Sequence, residues 1–344
     1  MAKTTKIIFF GVKPPERKYL SEKLKVSGLP VEAEFFAEIA NDGVLANQKD
    51  AEIISVFVDS ALDEKIFDCL PNLKFVAVRA TGYDNVDLKI AEKRGIKVSN
   101  VPAYGENTVA EFAFALMLAL SRKICQATAQ VKETGNFSYG NLQGFDLRGK
   151  TLGVIGTGKI GRHVIKMADG FDMKVVAFDS FPDANFAQTA GFQYVSLEEL
   201  LKQSDIVTVH VPYLKTTHHL LNKSNLALMK KGAYLINTSR GAVVETEALA
   251  EVLKNGRLGG AGLDVLEEEG VLKDELAFAL NGDMTNHNLK AVLADHALID
   301  MPNVLVTPHN AFNTKEALER ILDTTVENIK AFLDGKPENL ISAR

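Results

Sequence analysis

Three groups of side chains that could do acid–base and anion-binding chemistry each follow a short apolar run. Arg240 lies near the end of the stretch LINTSRG, the acidic run Glu267–Glu269 follows AGLDV, and His309 follows VLVTP. An arginine binds carboxylates through its planar fork of donors, and a histidine exchanges protons near neutral pH. A carboxylate beside such a histidine favours the imidazolium. Together these groups could bind an acid, polarise a carbonyl and move a proton.

Taken singly, each group has an ordinary interpretation. An arginine after a strand is usually a surface charge, three glutamates are usually a solvated run, and a Pro-His pair is usually a turn. Their combination is more informative, because all three groups follow predicted strands in the second half of the chain. Parallel α/β sheets bind ligands at the carboxyl ends of their strands. We therefore expect Arg240, one of the glutamates and His309 to meet at one site.

The strongest local motif is TLGVIGTGKIGRHVIKMADGFDMKVVAFD, residues 151–179. Gly156, Gly158 and Gly161 form G-x-G-x-x-G between a predicted strand and a predicted helix, and Asp179 ends the next strand, 18 residues after Gly161. In a dinucleotide-binding fold these glycines allow a tight turn, close approach of the pyrophosphate, and helix–strand packing. Asp179 would accept hydrogen bonds from ribose hydroxyls and repel a 2′-phosphate, which favours NAD over NADP.

Strand-like and helix-like segments alternate in two series along the chain. The predicted strands are residues 6–10, 51–58, 75–80 and 97–100, and then 151–156, 174–179, 205–211, 233–239, 261–265 and 304–308. This alternation predicts two parallel sheets with helices on both faces, and hence two α/β domains. The default location for a binding site is then the cleft between the domains.

Two long helices are predicted in addition. Residues 106–124 are apolar nearly all round, with Thr108 as N-cap and Glu111 completing a capping box. Such a helix could pack between domains, form a subunit interface, or do both. The second helix is predicted to begin after Asn313 as its cap and to end before Gly335.

Composition narrows the function classes. The chain has 344 residues, of which 46% are hydrophobic, and a net charge of −5, so it offers no basic face for nucleic acid or anionic lipid. The longest apolar run, residues 112–120, is too short to span a bilayer, and the apolar stretch near the N-terminus is too short for a secretory signal. Cys69 and Cys125 lack metal-ligand spacing, so no metal site is expected. The sequence identifies no disulfide partner for either cysteine, which favours a reduced, cytoplasmic setting.

Seven segments spread over nearly the whole chain carry a family resemblance. They are RATGYDNVDL (79–88), VPAYGENTVAEF (101–112), GKTLGVIGTGKIG (149–161), HVP (210–212), INTSRGAVV (236–244), AGLDVLEEE (261–269) and TPHNAF (307–312). In these segments the chain resembles the D-isomer-specific 2-hydroxyacid dehydrogenases. The H-x-A-F pattern that begins at His309 resembles the D-lactate dehydrogenase branch of that family.

The resemblance implies an α/β fold of two doubly wound parallel-sheet domains. A Rossmann NAD-binding domain, residues 105–309, would be inserted in a flavodoxin-like substrate domain made of residues 1–104 plus 310–344. The cofactor would be NAD, and the reaction a reversible hydride transfer between NADH and a small 2-keto acid.

The resemblance also implies roles for individual residues. Arg240 would bind and polarise the substrate, His309 would be the acid/base, and Glu269 would assist His309. Substrate contacts are implied for Thr81, Gly82, Tyr104 and Phe312. Cofactor contacts are implied for Gly156, Gly158, Lys159, Ile160, Gly161, Asp179, Val211, Pro212, Thr217, Thr238 and Asp264.

The sequence leaves the substrate and the assembly open. Pyruvate or a close homologue is expected, but a longer-chain 2-hydroxy acid, glyoxylate or phosphoglycerate is an alternative. An NAD-sensing, corepressor-like binding protein is a further alternative of a different class. We expect a homodimer or a dimer-based oligomer with no nucleic-acid or membrane partner. Residues 271–296 receive no role.

Overall fold

The computed structural model describes residues 4–273 and 287–343. The chain divides into two compact units, one comprising residues up to Tyr104 together with those from Thr314 onward, and the other comprising Gly105–Asn313. Part of the segment without an assigned role, residues 274–286, lies outside the described residues.

The first unit is built on one six-stranded sheet. Its strands are β1 (Thr5–Phe9), β2 (Val31–Phe35), β3 (Ile53–Val56), β4 (Phe75–Val78), β5 (Lys97–Ser99) and, from the end of the chain, β13 (Leu340–Ile341). Its helices are α1 (Pro14–Ser27), α2 (Asp42–Leu45), α3 (Glu64–Cys69), α4 (Leu88–Lys93) and α14 (Lys315–Leu333).

The strand order of this sheet is β13-β5-β4-β3-β1-β2, with every pair parallel except β13 with β5. Without β13 this is the flavodoxin-like order 2-1-3-4-5. The central strands are nearly continuous apolar runs, as expected for strands buried on both faces. On one face they pack with α1 and α14 through Leu20, Leu322 and Ile329. On the other face they pack with α2 and α3 through Leu45 and Phe67.

The second unit is built on a seven-stranded sheet. Its strands are β6 (Thr151–Ile155), β7 (Lys174–Phe178), β8 (Gln193–Tyr194), β9 (Ile206–Val209), β10 (Ala233–Asn237), β11 (Leu258–Leu263) and β12 (Val304–Val306). Its helices are α5 (Glu106–Ser121), α6 (Ile124–Thr134), α7 (Lys159–Gly170), α8 (Ala184–Ala190), α9 (Leu197–Gln203), α10 (Lys223–Leu226), α11 (Thr246–Lys254), α12 (Glu269–Lys273) and α13 (Leu289–Asp300), with a 3₁₀ turn at Gly241–Val243.

All strands of the second sheet are parallel, in the order β8-β7-β6-β9-β10-β11-β12. This is the Rossmann order 3-2-1-4-5-6 extended by one strand, and the predicted fold class is confirmed. The order reverses between β6 and β9, and ligands bind outside the carboxyl ends of the strands at such a point. Gly156 and His210 follow these two strands, and the His210 N–H donates to the Ile155 carbonyl at 2.7 Å.

The predicted long helix at 106–124 differs from the structure in two respects. It begins at Glu106 with Gly105 as its N-cap, and Thr108 lies buried inside the first turn, so the predicted Thr108 cap is wrong. The helix also stops at Ser121, because Lys123 adopts a left-handed φ of 51° that separates α5 from α6. Within its own unit, α5 packs against α7 and β11, which explains its apolar surface.

The predicted cap of the last helix is also displaced. Thr314 is the N-cap of α14, and its hydroxyl accepts a hydrogen bond from the Ala317 N–H at 3.2 Å. The side chain of Asn313 instead donates to Asn310 Oδ1 within the preceding loop. In the described part of the chain, no helix is long and apolar enough to cross a membrane.

Candidate active site

The glycine motif forms a tight connection from β6 to α7. Gly156 has a φ of 92°, and a Cβ atom there would lie 2.7 Å from the His210 carbonyl oxygen. A Cβ at Gly161 would lie 2.0 Å from the Gly156 carbonyl oxygen. These two glycines are therefore required by the fold itself.

Gly158 differs from the other two glycines of the motif. It is the N-cap of α7 with an extended backbone, and a Cβ there would meet no atom of the chain within 4 Å. The space in front of Gly158 is thus open. The first N–H groups of the 12-residue helix α7 lie beside it, and such groups are suited to a phosphate.

Asp179 follows β7 at the edge of the glycine loop. Its Oδ2 accepts hydrogen bonds from the backbone N–H and the hydroxyl of Thr157, at 2.7 and 2.9 Å, and its Oδ1 accepts from the Phe181 N–H at 2.9 Å. The Thr157 hydroxyl also lies 2.8 Å from the Tyr194 hydroxyl. Sequence reasoning missed Thr157 and Tyr194, although Thr157 lies inside the motif.

Two buried polar atoms near the switch point suggest room for a bound group. Thr238 Oγ1 and His210 Nδ1 are buried and have no hydrogen-bond partner in the part of the chain that the structure describes. With the open space at Gly158 and the N-terminus of α7, they fit a dinucleotide.

The other His210 nitrogen, Nε2, bonds the Thr208 hydroxyl at 2.8 Å, and burial lowers the pKa of His210 to about 3. His210 is therefore a neutral, buried histidine.

His309 lies in the loop after β12 with an unusual backbone. Its φ of 50° falls in the left-handed region that side-chain-bearing residues seldom adopt. Its N–H donates to the Asp264 carbonyl at 2.8 Å, and its Nδ1 lies 2.8 Å from Glu269 Oε1. The structure thus brings together two of the three predicted catalytic side chains, and local strain at His309 accompanies the contact.

Asp264 holds the loop that carries His309. Its Oδ1 accepts from the Thr307 hydroxyl at 2.6 Å and from the Asn310 N–H at 2.8 Å, and its Oδ2 accepts from the Ala311 N–H at 2.8 Å. Asp264 is 1% exposed, and this burial raises its pKa against the opposing effect of the bonds. Both carboxylate oxygens of Asp264 thus accept hydrogen bonds from the loop that carries His309. The cofactor contact predicted for Asp264 stays a prediction.

Each of the three consecutive glutamates bonds a different histidine. Glu267 lies 2.8 Å from His219 Nε2, Glu268 lies 2.8 Å from His287 Nδ1, and Glu269 lies 2.8 Å from His309 Nδ1. The ordinary interpretation of a solvated acidic run is therefore wrong. Sequence reasoning missed the roles of His219 and His287, because no spacing in the sequence connects them to this run. Among the described residues, no group of three or more His, Cys, Asp or Glu side chains could hold a metal ion.

Arg240 follows β10 and belongs to a loop that lies against the acidic run. Its Nη1 donates to the Ser239 carbonyl at 2.8 Å, and its own carbonyl accepts from Asn237 Nδ2 at 3.0 Å. A Cβ at Gly241 would lie 2.0 Å from the Leu266 carbonyl carbon and 2.4 Å from the Glu267 nitrogen. Glycine at 241 therefore lets the Arg240 loop approach the backbone of the acidic run.

The remaining predicted contacts occupy loops and helix starts. In the second unit, Lys159 and Ile160 begin α7, Val211 and Pro212 follow β9, and Phe312 follows the His309 loop. The Thr217 hydroxyl donates to the Pro212 carbonyl at 2.7 Å.

The other predicted substrate contacts belong to the first unit. The Thr81 hydroxyl donates to the Val101 carbonyl at 2.8 Å, and the Tyr104 carbonyl accepts from Arg320 Nε at 2.6 Å. Gly82 follows Thr81 in the loop after β4. The substrate roles of Thr81, Gly82 and Tyr104 stay predictions.

Comparison with known proteins identifies the family. The model of the family "D-isomer specific 2-hydroxyacid dehydrogenase, NAD binding domain" matches residues 114–311. A 2-hydroxyacid dehydrogenase homolog from Haemophilus influenzae is 38% identical over 339 residues, which are 98% of this chain and 99% of that protein. A glyoxylate reductase from Korarchaeum cryptofilum is 36% identical over 87% of this chain and 85% of its own.

A solved structure covers the same length. The D-lactate dehydrogenase of Aquifex aeolicus, complexed with NAD and lactic acid, matches with a TM-score of 0.85 and 36% identity, over 98% of this chain and 99% of its own. The chain therefore belongs to the D-isomer-specific 2-hydroxyacid dehydrogenases, a family of NAD-dependent oxidoreductases, and its cofactor is NAD.

Proposed function

We propose that the protein is a D-lactate dehydrogenase that catalyses reversible hydride transfer between NADH and pyruvate or a close small 2-keto acid. The observation that carries the proposal is the 2.8 Å contact between Glu269 and His309, in the same unit as the glycine loop. The choice of lactate is supported by the Aquifex aeolicus D-lactate dehydrogenase complexed with NAD and lactic acid, which is 36% identical.

Arg240 and His309 have different roles in the proposed reaction. When bound, the nicotinamide of NADH supplies the hydride. Arg240 binds the substrate carboxylate and polarises the C2 carbonyl with its fork of donors. Nδ1 of His309 donates to the ionised Glu269, so Nε2 is the nitrogen that transfers a proton to the C2 oxygen as C2 is reduced. In the reverse direction Nε2 takes this proton back.

Asp179 is proposed to select NAD. Its carboxylate is fixed by the backbone and hydroxyl of Thr157. A fixed negative charge beside the glycine loop can accept hydrogen bonds from a ribose diol and repels a 2′-phosphate. Gly158 and the start of α7 would hold the pyrophosphate.

A second candidate is the reduction of glyoxylate. It is favoured by the 36% identity to the glyoxylate reductase from Korarchaeum cryptofilum. The chemistry at Arg240, Glu269 and His309 would be the same, and the two candidates differ in the group attached to C2.

A panel of 2-keto acids with NADH tests the proposal. It should contain pyruvate, glyoxylate, 2-ketoisocaproate and hydroxypyruvate phosphate. The highest kcat/KM is expected with pyruvate, and the lactate formed should be the D isomer. A higher value with glyoxylate would favour the second candidate, and no turnover with any acid would favour a binding protein.

The role of His309 is tested separately. His309→Gln should lower kcat about 100-fold or more, as expected on loss of a general acid. The matched control is His163→Gln, because His163 is exposed on α7. Near-wild-type turnover of His309→Gln at neutral pH would exclude His309 as the proton donor.

We further propose a homodimer located in the cytoplasm. The proposal of a dimer is supported by Phe137 and Tyr139, which follow α6 and are 90% and 88% exposed, because aromatic side chains are enriched in protein–protein interfaces. Neither Cys69 nor Cys125 is in a disulfide, in keeping with a reducing compartment. Sedimentation velocity is expected to give a dimer, and a monomer at micromolar concentration would contradict it.

A further inference from the structure

Asp295 is a buried carboxyl group in a segment to which the sequence assigns no role. It lies on α13 and is 0% exposed. Its Oδ2 accepts a hydrogen bond from the Glu268 N–H at 3.1 Å. This is an uncommon residue at a core position, where an apolar side chain would avoid the cost of burying a carboxyl group.

The surroundings of Asp295 are acidic. Glu247 faces it from α11, and Glu267 and Glu268 face it from the acidic run. The strand β12, which also packs against α13, contributes only apolar side chains. Burial, and then these like charges, raise the pKa of Asp295 to about 7 against the effect of the Glu268 hydrogen bond. Packing alone therefore does not explain a carboxyl group at this position.

The hydrogen bond acts on the residue next to Glu269. Glu268 is fixed at both ends, because Asp295 holds its N–H while His287 Nδ1 and the Asn288 N–H bond its carboxylate at 2.8 and 3.0 Å. The following residue, Glu269, begins α12 and reaches His309. The orientation of the Glu268 backbone thus sets the direction in which Glu269 leaves the chain.

We propose that Asp295 is a positioning residue for the reaction, which presents Glu269 to His309 by accepting the hydrogen bond of the Glu268 N–H. The inference rests on the proposed function to the extent that Glu269 and His309 act on the substrate. The acceptor is needed for this role, whereas the negative charge is not.

Two substitutions separate the acceptor from the charge. Asp295→Asn keeps an oxygen acceptor, and its kcat is expected to stay within about threefold of wild type. Asp295→Leu removes the acceptor and keeps the branched shape with a larger side chain, and its kcat is expected to fall at least about tenfold, with a KM for NADH within about twofold. Asp300→Leu is the matched control, since Asp300 is exposed on the same helix, and it should behave as wild type.

Amide hydrogen exchange of the substrate-free protein gives a second readout. Exchange at the Glu268 amide should be faster in Asp295→Leu than in wild type and in Asp295→Asn. In wild type, after correction for intrinsic rates, protection at this amide should increase as the pH is raised from 6 to 8, because an ionised carboxylate is the stronger acceptor. Asp295→Asn should lack this pH dependence.

The outcomes distinguish the inference from the proposed function. A wild-type kcat in Asp295→Leu, an equal loss in the Asn and Leu variants, or unchanged protection of the Glu268 amide would overturn the positioning role. If the Leu variant does not fold, the pH dependence of protection at the Glu268 amide in wild type and in Asp295→Asn tests the hydrogen bond instead. Equal behaviour of these two proteins would overturn the positioning role. Lack of turnover by the wild-type protein would overturn the proposed function and leave the exchange test intact.

Discussion

Glu269 Oε1 and His309 Nδ1 lie 2.8 Å apart although the two residues are 40 positions apart in the chain. The neighbouring glutamates are bonded to other histidines, so the three carboxylates of the run are not interchangeable. An ionised carboxylate can only accept, and the contact therefore fixes which ring nitrogen of His309 donates to it. The contact also orients the imidazole, whose backbone is already constrained.

Glu269→Gln is expected to lower kcat for pyruvate reduction about 10- to 100-fold. The neutral amide no longer stabilises the imidazolium that must be present before proton transfer, and it can also hold the wrong tautomer. The KM for NADH should change by less than about twofold, since the cofactor residues are untouched. Steady-state kinetics at saturating NADH measures both values.

Glu198→Gln provides the control for this variant. Glu198 is exposed on α9, and Glu198→Gln removes one negative charge, as Glu269→Gln does. The kcat of Glu198→Gln should therefore equal that of wild type. Turnover of Glu269→Gln equal to that of the control would show that the carboxylate does not assist His309.

The sequence predicts the central strands well because of their burial. Strands such as β3 and β4 are covered on both faces and are continuous apolar runs, IISV and FVAV, which are recognisable without knowledge of their neighbours. The strands β2, β8 and β13 were missed. The first is an edge strand with two glutamates, and the others have two residues each, so tertiary pairing rather than composition defines them.

The candidate site could be predicted only in part, because some of its contacts join residues that are distant in sequence. The glycine motif and the residues after β10, β11 and β12 are local signals. Partners such as His219 for Glu267 and Asp295 for the Glu268 N–H come from loops and helices distant in sequence, with no periodicity that links them. The displaced helix caps at Thr108 and Asn313 have the same origin, because which of several adjacent polar residues caps a helix depends on backbone angles set by packing.

Gly158→Ala should separate cofactor binding from folding. A Cβ at 158 meets no atom of the chain within 4 Å, so the free energy of unfolding should change by less than about 0.5 kcal/mol. The methyl group would occupy the space proposed for the pyrophosphate, and the Kd for NADH should rise at least about tenfold. Chemical denaturation and fluorescence titration with NADH measure the two effects.

Gly161→Ala is the matched comparison in the same motif. Its Cβ would lie 2.0 Å from the Gly156 carbonyl oxygen, so this variant should lose about 1–3 kcal/mol of stability. If folded Gly158→Ala protein bound NADH as tightly as wild type, the pyrophosphate could not bind in the space in front of residue 158.

Asp179→Ser is expected to relax the preference for NAD. Loss of the fixed carboxylate removes the acceptor for the ribose diol and the repulsion of a 2′-phosphate, so kcat/KM should fall with NADH and rise with NADPH. A change of about tenfold or more in the ratio of the two values is expected. Asp169→Ser, at an exposed position near the other end of α7, should leave the ratio unchanged. The same ratio in both variants would refute the role of Asp179.

His210→Gln should change the acid sensitivity of the fold. The pKa of His210 is lowered to about 3 from an ordinary 6.5 because the ring is buried, so the folded state stays neutral where the unfolded chain takes up a proton. The stability contributed by the neutral ring is complete above about pH 6.5 and is lost as the pH falls toward 3. The slope is about 1.4 kcal/mol per pH unit, or about 2 kcal/mol between pH 6.5 and 5.

This effect is measured as a difference between two proteins, because carboxylates titrate in both. Urea denaturation at pH 8, 6.5 and 5 should give a wild-type advantage over His210→Gln that is constant from pH 8 to 6.5 and then shrinks. His163→Gln, which changes an exposed histidine, should follow wild type at every pH. A difference between wild type and His210→Gln that does not vary with pH would mean that His210 takes up its proton equally in the folded and unfolded chains, and that its ring is not held neutral by the fold.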